Sequence, residues 1–403
     1  MEYITAAEAA GKWGITSRQV QRLLADNRIP DAKRYGRTFA VPADAKKPDV
    51  MRFGKKSASQ SFASELNHAI DVIYNTSCAS GLRENPDRIL DMIKEENLRL
   101  TPESTLAYLR GDFERVKQCF KKIGENDAAK LCASPTAIAA AICSGDYPFY
   151  QGVETYLKNI IKADFGADVT AYAEHALAIG YLGATAPDMV TEWIKKGEYA
   201  NLHPMVRYEA AYQRVQYLQY MKKYESMLDV AQTALSLLPN PSGKGLTITE
   251  IMLRIRCAIA CHHIDREGEA QTWLLGAMYA ALPHGFIISF ADTIMLLGGL
   301  TERCLKQAYP KYYNVITELA DRVIKNWISF HNRFVKDNVP LILTMQEGEI
   351  ITIASRGVPY KEIAERYNIT VGTLKNKMRI IFEKLCISKK SELADFVPYC
   401  KNK

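Results

Sequence analysis

The sequence predicts a mainly α-helical protein in three parts, with a long helical body between two small basic ends. Three observations support this prediction. Apolar residues recur every three or four positions through the middle of the chain, which is typical of amphipathic helices. Basic residues are in excess only at the two ends. The same spacing of small, turn-forming and apolar residues occurs once in each of those ends.

The charge distribution separates the ends from the body. The chain has 403 residues and a formal net charge of +7. Residues 1–59 contain 12 basic and 6 acidic residues, and residues 340–403 contain 11 and 7. The residues between them contain 29 basic and 32 acidic residues. Basic ends on a slightly acidic body favour an anionic polymer or surface as the partner.

The first basic end contains the spacing that a helix-turn-helix requires. A small residue lets two helices cross closely, a glycine supplies the left-handed turn, and apolar residues anchor the second helix. These residues are Ala10, Trp13, Gly14, Ile15, Val20 and Leu24. We expect a supporting helix over residues 5–13 and a second helix capped by Thr16 or Ser17. Its inward residues are Val20, Leu23 and Leu24.

A basic hairpin follows these two helices. Residues 33–35 and 38–41 alternate in character around Gly36 and Arg37, which predicts two short strands joined by a glycine turn. Pro42 ends the second strand. The hairpin places Lys33, Arg34 and Arg37 on a short wing beside the helices.

The body is predicted to be helical throughout, with short breaks at prolines and glycines. A polar stretch over residues 55–61 is the expected linker before it. Residues 208–239 and 253–283 each predict a helix, a turn, a second helix and a proline. Small residues at these spacings favour stacked helical repeats, and a non-repetitive helical bundle is the alternative. A tyrosine run in this region is more often packing than a binding groove: Tyr208, Tyr212, Tyr217, Tyr220 and Tyr224.

The second basic end repeats the spacing found in the first. Its residues are Ala364, Tyr367, Asn368, Ile369, Leu374 and Met378. We expect a supporting helix over residues 360–367, an N-cap at Thr370, and a second helix over residues 371–385. That helix buries an apolar stripe and leaves Lys375, Asn376 and Arg379 on the opposite face, where they could meet a major groove together.

At this end the motifs resemble a known family, the LuxR-type helix-turn-helix. The matching segments are Leu343-Thr344, Glu347, Glu349, Gly357, Lys361-Glu362-Ile363-Ala364, Gly372-Thr373-Leu374-Lys375-Asn376 and Ile381-Phe382-Glu383-Lys384-Leu385. The resemblance implies a four-helix fold in which Lys375, Asn376 and Arg379 contact DNA. It also implies a dimer that forms through a last helix near residues 389–397. The sequence departs from the family at Lys377, where histidine is common, and at Cys386, where glycine is common.

The other two parts carry weaker resemblances. The first end looks like the small winged helix-turn-helix of the MerR/excisionase group, which implies that its second helix enters the major groove while the wing grips phosphate or the minor groove. The body resembles, loosely, the tetratricopeptide-like arrays of MalT-like regulators. The predicted organisation is a winged helix-turn-helix over residues 1–54, a linker over 55–61, a sensing or interaction domain over 62–338, and a LuxR-type domain over 339–403.

These readings predict a bacterial transcription regulator that binds double-stranded DNA as a homodimer. The predicted DNA-binding residues are Thr16, Ser17, Arg18, Gln21, Arg22, Lys33, Arg34, Arg37, Lys361, Thr370, Thr373, Lys375, Asn376, Lys377 and Arg379. Two alternatives stay open. In the first alternative, only the C-terminal head binds DNA and the first end is a protein-interaction module. In the second, the body is a receptor for a peptide, a small molecule or a protein effector.

Other function classes find little support in the sequence. No nucleophile motif or phosphate-binding loop of standard order is found, so we expect no enzyme and no cofactor. Cys257, Cys261, His262 and His263 could hold zinc, but no second ligand pair lies nearby in sequence, so a buried cysteine pair is the preferred interpretation and no metal is expected. The start lacks the pattern of a secretory signal and the most apolar stretch is too short to span a bilayer, so a cytoplasmic protein without membrane contact is expected.

Overall fold

The computed structural model describes residues 3–25, 29, 32–35, 38–45, 47, 57–79, 81–238, 248–335, 343–385 and 387–397. The chain forms two compact units, Met1–Lys55 and Lys56–Lys403. Within the described ranges the structure is mainly helical, with twenty α-helices and three short strands. The mainly helical fold class is therefore confirmed. No helix among these residues is long and apolar enough to cross a membrane.

The first unit combines two helices with a small sheet. Its elements are β1 Tyr3–Thr5, α1 Ala6–Trp13, α2 Ser17–Ala25, β2 Lys33–Tyr35 and β3 Thr38–Pro42. The sheet is antiparallel in the order β1-β3-β2, with Ile4 opposite Val41 and Arg34 opposite Phe39. The predicted hairpin strands are present, and β1 is an addition that the sequence did not predict. A strand of three residues is too short to give an alternating pattern.

The core of the first unit contains the predicted inward side chains. Buried residues of α1, α2 and β3 pack together, including Ala10, Val20, Leu24 and Val41. Thr5 begins α1 with a capping box, in which its hydroxyl accepts from the Glu8 amide and the Glu8 carboxylate accepts from the Thr5 amide.

The second unit contains the helical body and the C-terminal helices. The body consists of α3 Ser57–Ser77, α4 Arg88–Met92, α5 Glu96–Leu109, α6 Phe113–Ile123, α7 Asp127–Ser144, α8 Tyr147–Ala163, α9 Ala167–Gly183, α10 Glu192–Lys196, α11 Arg207–Tyr220, α12 Tyr224–Leu237, α13 Ile248–His263, α14 Glu267–Ala281, α15 Ile288–Ala291, α16 Leu300–Ala308 and α17 Pro310–Val335. Short 3-10 turns connect several of them. The helices predicted within residues 208–239 and 253–283 correspond to the pairs α11–α12 and α13–α14.

The linker predicted over residues 55–61 needs a correction. Helix α3 already begins at Ser57, so most of that segment is helical. Serine and alanine allow helix formation once the following apolar residues anchor it, and Ser61 donates to the Glu65 carboxylate one turn later at 2.9 Å. A polar, small-residue composition therefore marked the start of a helix here.

Five helices of the body, α5, α7, α9, α11 and α13, end in the same turn. The residue after each helix, or one position later, has a positive φ, and the next amide donates to a carbonyl five residues back, which is the Schellman geometry. The positive-φ residues are Gly111, Gly145, Thr185, Lys222 and Asp265. The corresponding hydrogen bonds are Asp112 to Ala107, Asp146 to Ala141, Ala186 to Tyr181, Lys223 to Leu218 and Arg266 to Cys261, all 2.8–2.9 Å. One backbone device thus repeats through the body.

Because the turns repeat, the first helices of successive pairs lie side by side. Helices α5, α7, α9, α11 and α13 each pack on the next, while α6, α8, α12 and α14 pack on their own pair partners. The long helix α17 packs on α7. Its Asn326 and Trp327 side chains donate to the Cys143 and Gly183 carbonyls at 3.1 and 2.7 Å, at the C-terminal ends of α7 and α9. These bonds satisfy carbonyls that a helix end leaves free.

The C-terminal helices share one apolar core. They are α18 Met345–Ser355, α19 Tyr360–Arg366 and α20 Val371–Leu385, followed by a 3-10 helix over Lys390–Phe396. The buried side chains include the predicted stripe of α20, namely Leu374, Met378, Ile381 and Leu385. The expected fourth α-helix is a short 3-10 helix instead. Leu393 of this 3-10 helix and Val397 directly after it still reach the core.

Candidate nucleic-acid interface

The spacing that occurs at both ends of the chain builds the same turn twice. Gly14 and Asn368 both adopt the left-handed conformation, with φ of 64° and 51°. In each case the amide of the next residue donates to the carbonyl of the small residue in the first helix. Ile15 donates to the Ala10 carbonyl at 3.1 Å, and Ile369 donates to the Ala364 carbonyl at 3.0 Å. Ala10 and Ala364 are both buried. The local geometry predicted from the sequence at these two turns is therefore present.

Helix α2 presents the outward residues predicted for the first end. The Thr16 hydroxyl accepts from the Gln19 amide at 3.3 Å, so Thr16 rather than Ser17 caps the helix. Ser17, Arg18 and Gln21 are exposed. Arg22 lies on α2, but its side chain is outside the described part of the structure.

The predicted wing is described in part. Lys33 is exposed on β2, and its ammonium lies 5.0 Å from the centroid of the Tyr3 ring on β1. This cation–π contact joins the wing to the strand that the sequence did not predict. Arg34 lies on β2 with its side chain outside the described residues, and Arg37 is itself outside them.

Helix α20 is buried on one face and polar on the other. Leu374, Met378 and Ile381 are at most 2% exposed, whereas Lys375, Asn376 and Arg379 are exposed. Lys375 and Arg379 are one turn apart, so their side chains project from the same strip of the helix. The structure therefore brings together the three residues to which the LuxR resemblance gives DNA contacts.

Two other lysines of α20 are engaged within the protein. Lys377 is half-buried and donates to the Gln346 side chain of α18 at 2.9 Å. Lys384 donates to both carboxylate oxygens of Glu347, at 2.7 and 2.8 Å, and the Glu347 carboxylate also accepts from the amide of Thr344, the N-cap of α18. These contacts fasten α20 to α18. The predicted residue Lys377 thus has a hydrogen-bond partner on α18. It is also less exposed than Lys375.

The remaining predicted residues of this end lie beside the start of α20. The Thr370 hydroxyl accepts from the Thr373 amide at 3.0 Å, which confirms the predicted N-cap. Thr373 is exposed, and its hydroxyl lies 2.9 Å from that of Thr370. Lys361 is exposed on α19. Two hydroxyls and a helix N-terminus at one edge form a surface that suits phosphate oxygens.

A buried polar contact attaches the C-terminal helices to the body. The Tyr367 hydroxyl donates to the Glu349 carboxylate at 2.8 Å, and the Glu302 carboxyl of α16 lies close to that of Glu349. Burial raises the pKa of Glu349 well above its usual value, and the nearby Glu302 carboxylate raises it further. Burial also raises the pKa of Glu302. Two buried carboxyls in contact share a proton because both cannot carry charge there.

A second group of residues extends this attachment. The His262 side chain of α13 donates from Nδ1 to Glu267 at 2.8 Å and accepts at Nε2 from Arg366 at 3.3 Å. Arg303 donates to the Arg366 carbonyl at 2.9 Å and pairs with Glu267 at 2.6 Å. The sequence analysis did not identify the contacts that Arg303 and Arg366 make, because they join residues 36 to 104 positions apart without any local pattern.

The candidate zinc residues of α13 have other partners. Cys257 and Cys261 are fully buried, and burial raises the pKa of both thiols, that of Cys257 to about 12. The His263 ring stacks on Tyr224 with centroids 4.3 Å apart and accepts from Arg356 at 2.6 Å. Among the described residues no group of three or more metal-binding side chains comes together. The seven described cysteines are free thiols.

Comparisons of the chain with known proteins give no relative. No family model, no curated protein and no solved structure matches it. The function is therefore argued from the geometry above.

Proposed function

We propose that the protein is a sequence-specific DNA-binding transcription regulator with two helix-turn-helix heads and a helical sensing or interaction body. The observation that carries the proposal is the exposed strip of α20 with Lys375, Asn376 and Arg379, supported from behind by a fully buried apolar face. The same left-handed turn occurs at the N-terminal basic end, which supports a second helix-turn-helix head there.

The C-terminal head has the shape and chemistry for major-groove binding. Helix α20 has 15 residues, which is a length of about 22 Å. An asparagine amide can pair with an adenine edge, and lysine or arginine with guanine. Lys361, Thr370 and Thr373 are placed to contact backbone phosphates, which position a protein on DNA without reading its sequence. In this proposal Lys375, Asn376 and Arg379 read the bases.

The N-terminal head would bind as a winged helix-turn-helix. Its second helix, α2, would enter the major groove with Arg18, Gln21 and Arg22, and Lys33, Arg34 and Arg37 of the wing would reach phosphate or the minor groove. The exposed positions of Arg18, Gln21 and Lys33 support this arrangement. The resemblance to the MerR/excisionase group supports the entry of α2 into the major groove.

The resemblances extend the proposal to the assembly and its location. By similarity to LuxR-type modules, the regulator is a homodimer in the bacterial cytoplasm, with the 3-10 helix Lys390–Phe396 at the dimer contact. The repeated helix pairs of the body support its similarity to tetratricopeptide arrays: Gly111 and Gly145, at equivalent turns, are 34 residues apart, and later pairs are longer.

The decisive experiment removes the two outward cations of α20. We expect Lys375→Ala with Arg379→Ala to abolish the preference for a selected DNA site over random DNA, because each base contact contributes about 1–3 kcal/mol of discrimination. Fluorescence anisotropy with labelled duplexes measures both affinities. Lys121→Ala with Lys122→Ala, on the exposed surface of α6, makes the same charge change away from the head and should keep the preference. Unchanged selectivity of the α20 variant would exclude the C-terminal head from this role.

A further inference from the structure

The body contains a cavity of about 300 Å³, within the size range of small-molecule sites. Its walls come from the inner helices α5, α7, α9, α11 and α13, from α3 and α17, and from the segment around Met295. Five of these helices are the first members of the repeated pairs, so the cavity follows from the repeat architecture. Its lining is mostly apolar and aromatic, with tyrosines and a tryptophan at positions 74, 108, 172, 212, 220 and 327.

Two buried acceptor atoms of the cavity wall lack partners within the protein. Gln213 is 1% exposed, and its Nε2 donates to the His175 carbonyl at 2.8 Å. This bond fixes the amide orientation, because a carbonyl can only accept, so the unpaired atom is the oxygen Oε1. The His175 ring Nε2 lies 3.3 Å from the Glu209 carboxylate, and its buried Nδ1 is also unpaired. In the neutral ring this Nδ1 is an acceptor as well.

The wall contains two carboxyl groups, Glu209 and Asp292, and one guanidinium group, Arg256. Arg256 is the buried cation, and each of its three guanidinium nitrogens already donates, to the Tyr212 hydroxyl and to Gln219. Glu209 lies beside the His175 ring, 3.3 Å from its Nε2, and beside the Tyr74 hydroxyl. Asp292 lies in the wall near Arg256, where burial raises its pKa to about 7. A ligand that brings donors and a positive charge would suit both the unpaired acceptors and the Glu209 carboxyl group, which contacts no lysine or arginine in the described part of the structure.

We infer that this cavity is an effector site for a small organic ammonium compound with an apolar or aromatic body. The ammonium group would donate to Gln213 Oε1 and lie beside Glu209, and the apolar part would pack among the tyrosine rings. Aromatic faces attract a cation in addition to burying apolar surface. A carboxylate ligand would instead meet Glu209 with a like charge and leave both acceptors unpaired.

The site has a direct path to the C-terminal head. Met295 and Leu296 line the cavity, and Met295 also packs on α18. A Cβ atom at Gly348 of α18 would lie 2.7 Å from the Met295 methyl carbon, so the two elements are in close contact. A ligand that moves Met295 therefore moves the surface on which α18 rests. This regulatory part of the inference rests on the proposed DNA-binding function, whereas ligand binding itself does not.

Calorimetry with three matched probes tests the site on the intact protein without DNA. The probes are 3-phenylpropylamine, 3-phenylpropan-1-ol and 3-phenylpropanoate, which share one apolar body and differ in the polar group. We expect the amine to bind best, the alcohol more weakly and the carboxylate least. Absence of binding by all three, or tightest binding of the carboxylate, would overturn the proposed ligand class.

Two substitutions locate the binding. Glu209→Gln keeps the acceptor for His175 and Tyr74 but removes the charge, so it should weaken the amine about tenfold and leave the alcohol unchanged. Glu225→Gln, on the exposed surface of α12, is the charge-matched control and should change neither. Ala139→Phe fills the cavity from α7 and should abolish binding of every probe. Amine binding that survives both Glu209→Gln and Ala139→Phe would place it elsewhere.

A final measurement separates this inference from the proposed function. DNA affinity is measured by anisotropy with and without saturating amine, and a change is expected in the wild type but not in Ala139→Phe. If the amine binds and DNA affinity is unchanged, the cavity is not an effector site. If the protein fails to bind DNA at all while the calorimetric order holds, the proposed function fails and the ligand site stands.

Discussion

At the scale of the residue, the left-handed positions at helix ends set the path of the chain. Gly14 and Asn368 were predicted, because glycine and asparagine tolerate positive φ. Thr185 and Lys222 adopt φ of 59° and 56° at equivalent turns of the body, and their side chains give no such indication. The following Schellman hydrogen bond and the packing of the helix pair hold them there. At these two residues of the body the tertiary structure imposes the left-handed conformation. At Gly14 and Asn368 the residue type itself already indicates it.

Substitution of Gly14 tests the contribution of its backbone conformation. No atom lies within 4 Å of a Cβ built at Gly14, so Gly14→Ala should destabilise the first unit by about 1 kcal/mol through the positive φ alone. Gly11, inside α1, is equally open, and Gly11→Ala should stabilise the unit by about 0.5–1 kcal/mol. Native-state amide exchange of α1 and α2 measures both. Equal effects of the two substitutions would contradict the role given to Gly14.

The residues of the two candidate sites differ in how far the sequence predicts them. The exposure of Lys375, Asn376 and Arg379 follows from the helical period of α20, which one stretch of sequence contains. The cavity residues Gln213, on α11, and Asp292, directly after α15, meet only through the packing of elements that are distant in sequence. A polar residue on the apolar face of a predicted helix indicates a cavity site only when the helices that pack against it are known.

At the scale of the element, the C-terminal helices rest on the body through the Glu302, Glu349 and Tyr367 contact. The first two are carboxyls whose pKa values are raised by burial. The folded state therefore holds a proton that the unfolded chain releases near the ordinary glutamate pKa of 4.5. Because the pKa is raised on folding, the bound proton makes its full contribution to the free energy of unfolding below pH 4.5. That contribution is lost as the pH rises through the pKa of the folded state.

Glu349→Gln should remove this pH dependence. The amide imitates the protonated carboxyl, so the free energy of unfolding of the variant, relative to wild type, should increase from pH 5 to pH 8. The increase is at most about 1.4 kcal/mol per pH unit for one proton. Glu365→Gln, exposed on α19, is the control and should show no such trend. Urea denaturation at each pH gives the values, and a difference independent of pH would contradict the shared proton.

The long elements were predicted better than the short ones. Helix α20 has the predicted bounds, since its apolar period is regular and Thr370 caps it. Strand β1, the start of α3 and the final 3-10 helix were missed or assigned differently. Each has only a few residues that carry a pattern, so neighbouring structure decides its conformation.

At the scale of the whole molecule, the two compact units divide the predicted functions unequally. Met1–Lys55 contains one proposed head, and Lys56–Lys403 contains the body together with the other. The sequence predicted three domains from charge and linkers. It could not predict that the C-terminal helices and the body share buried contacts, because those contacts pair distant residues such as His262 and Arg366.

The central claim is that both basic ends bind DNA, and footprinting of a selected duplex tests it most directly. The full chain is compared with a chain that lacks residues 1–55, the first compact unit. If both heads bind, the truncated chain should protect a shorter segment, and its affinity should fall less steeply with salt because fewer phosphates are contacted. An unchanged footprint with an unchanged salt dependence would contradict the claim and leave the N-terminal unit as a protein-interaction module.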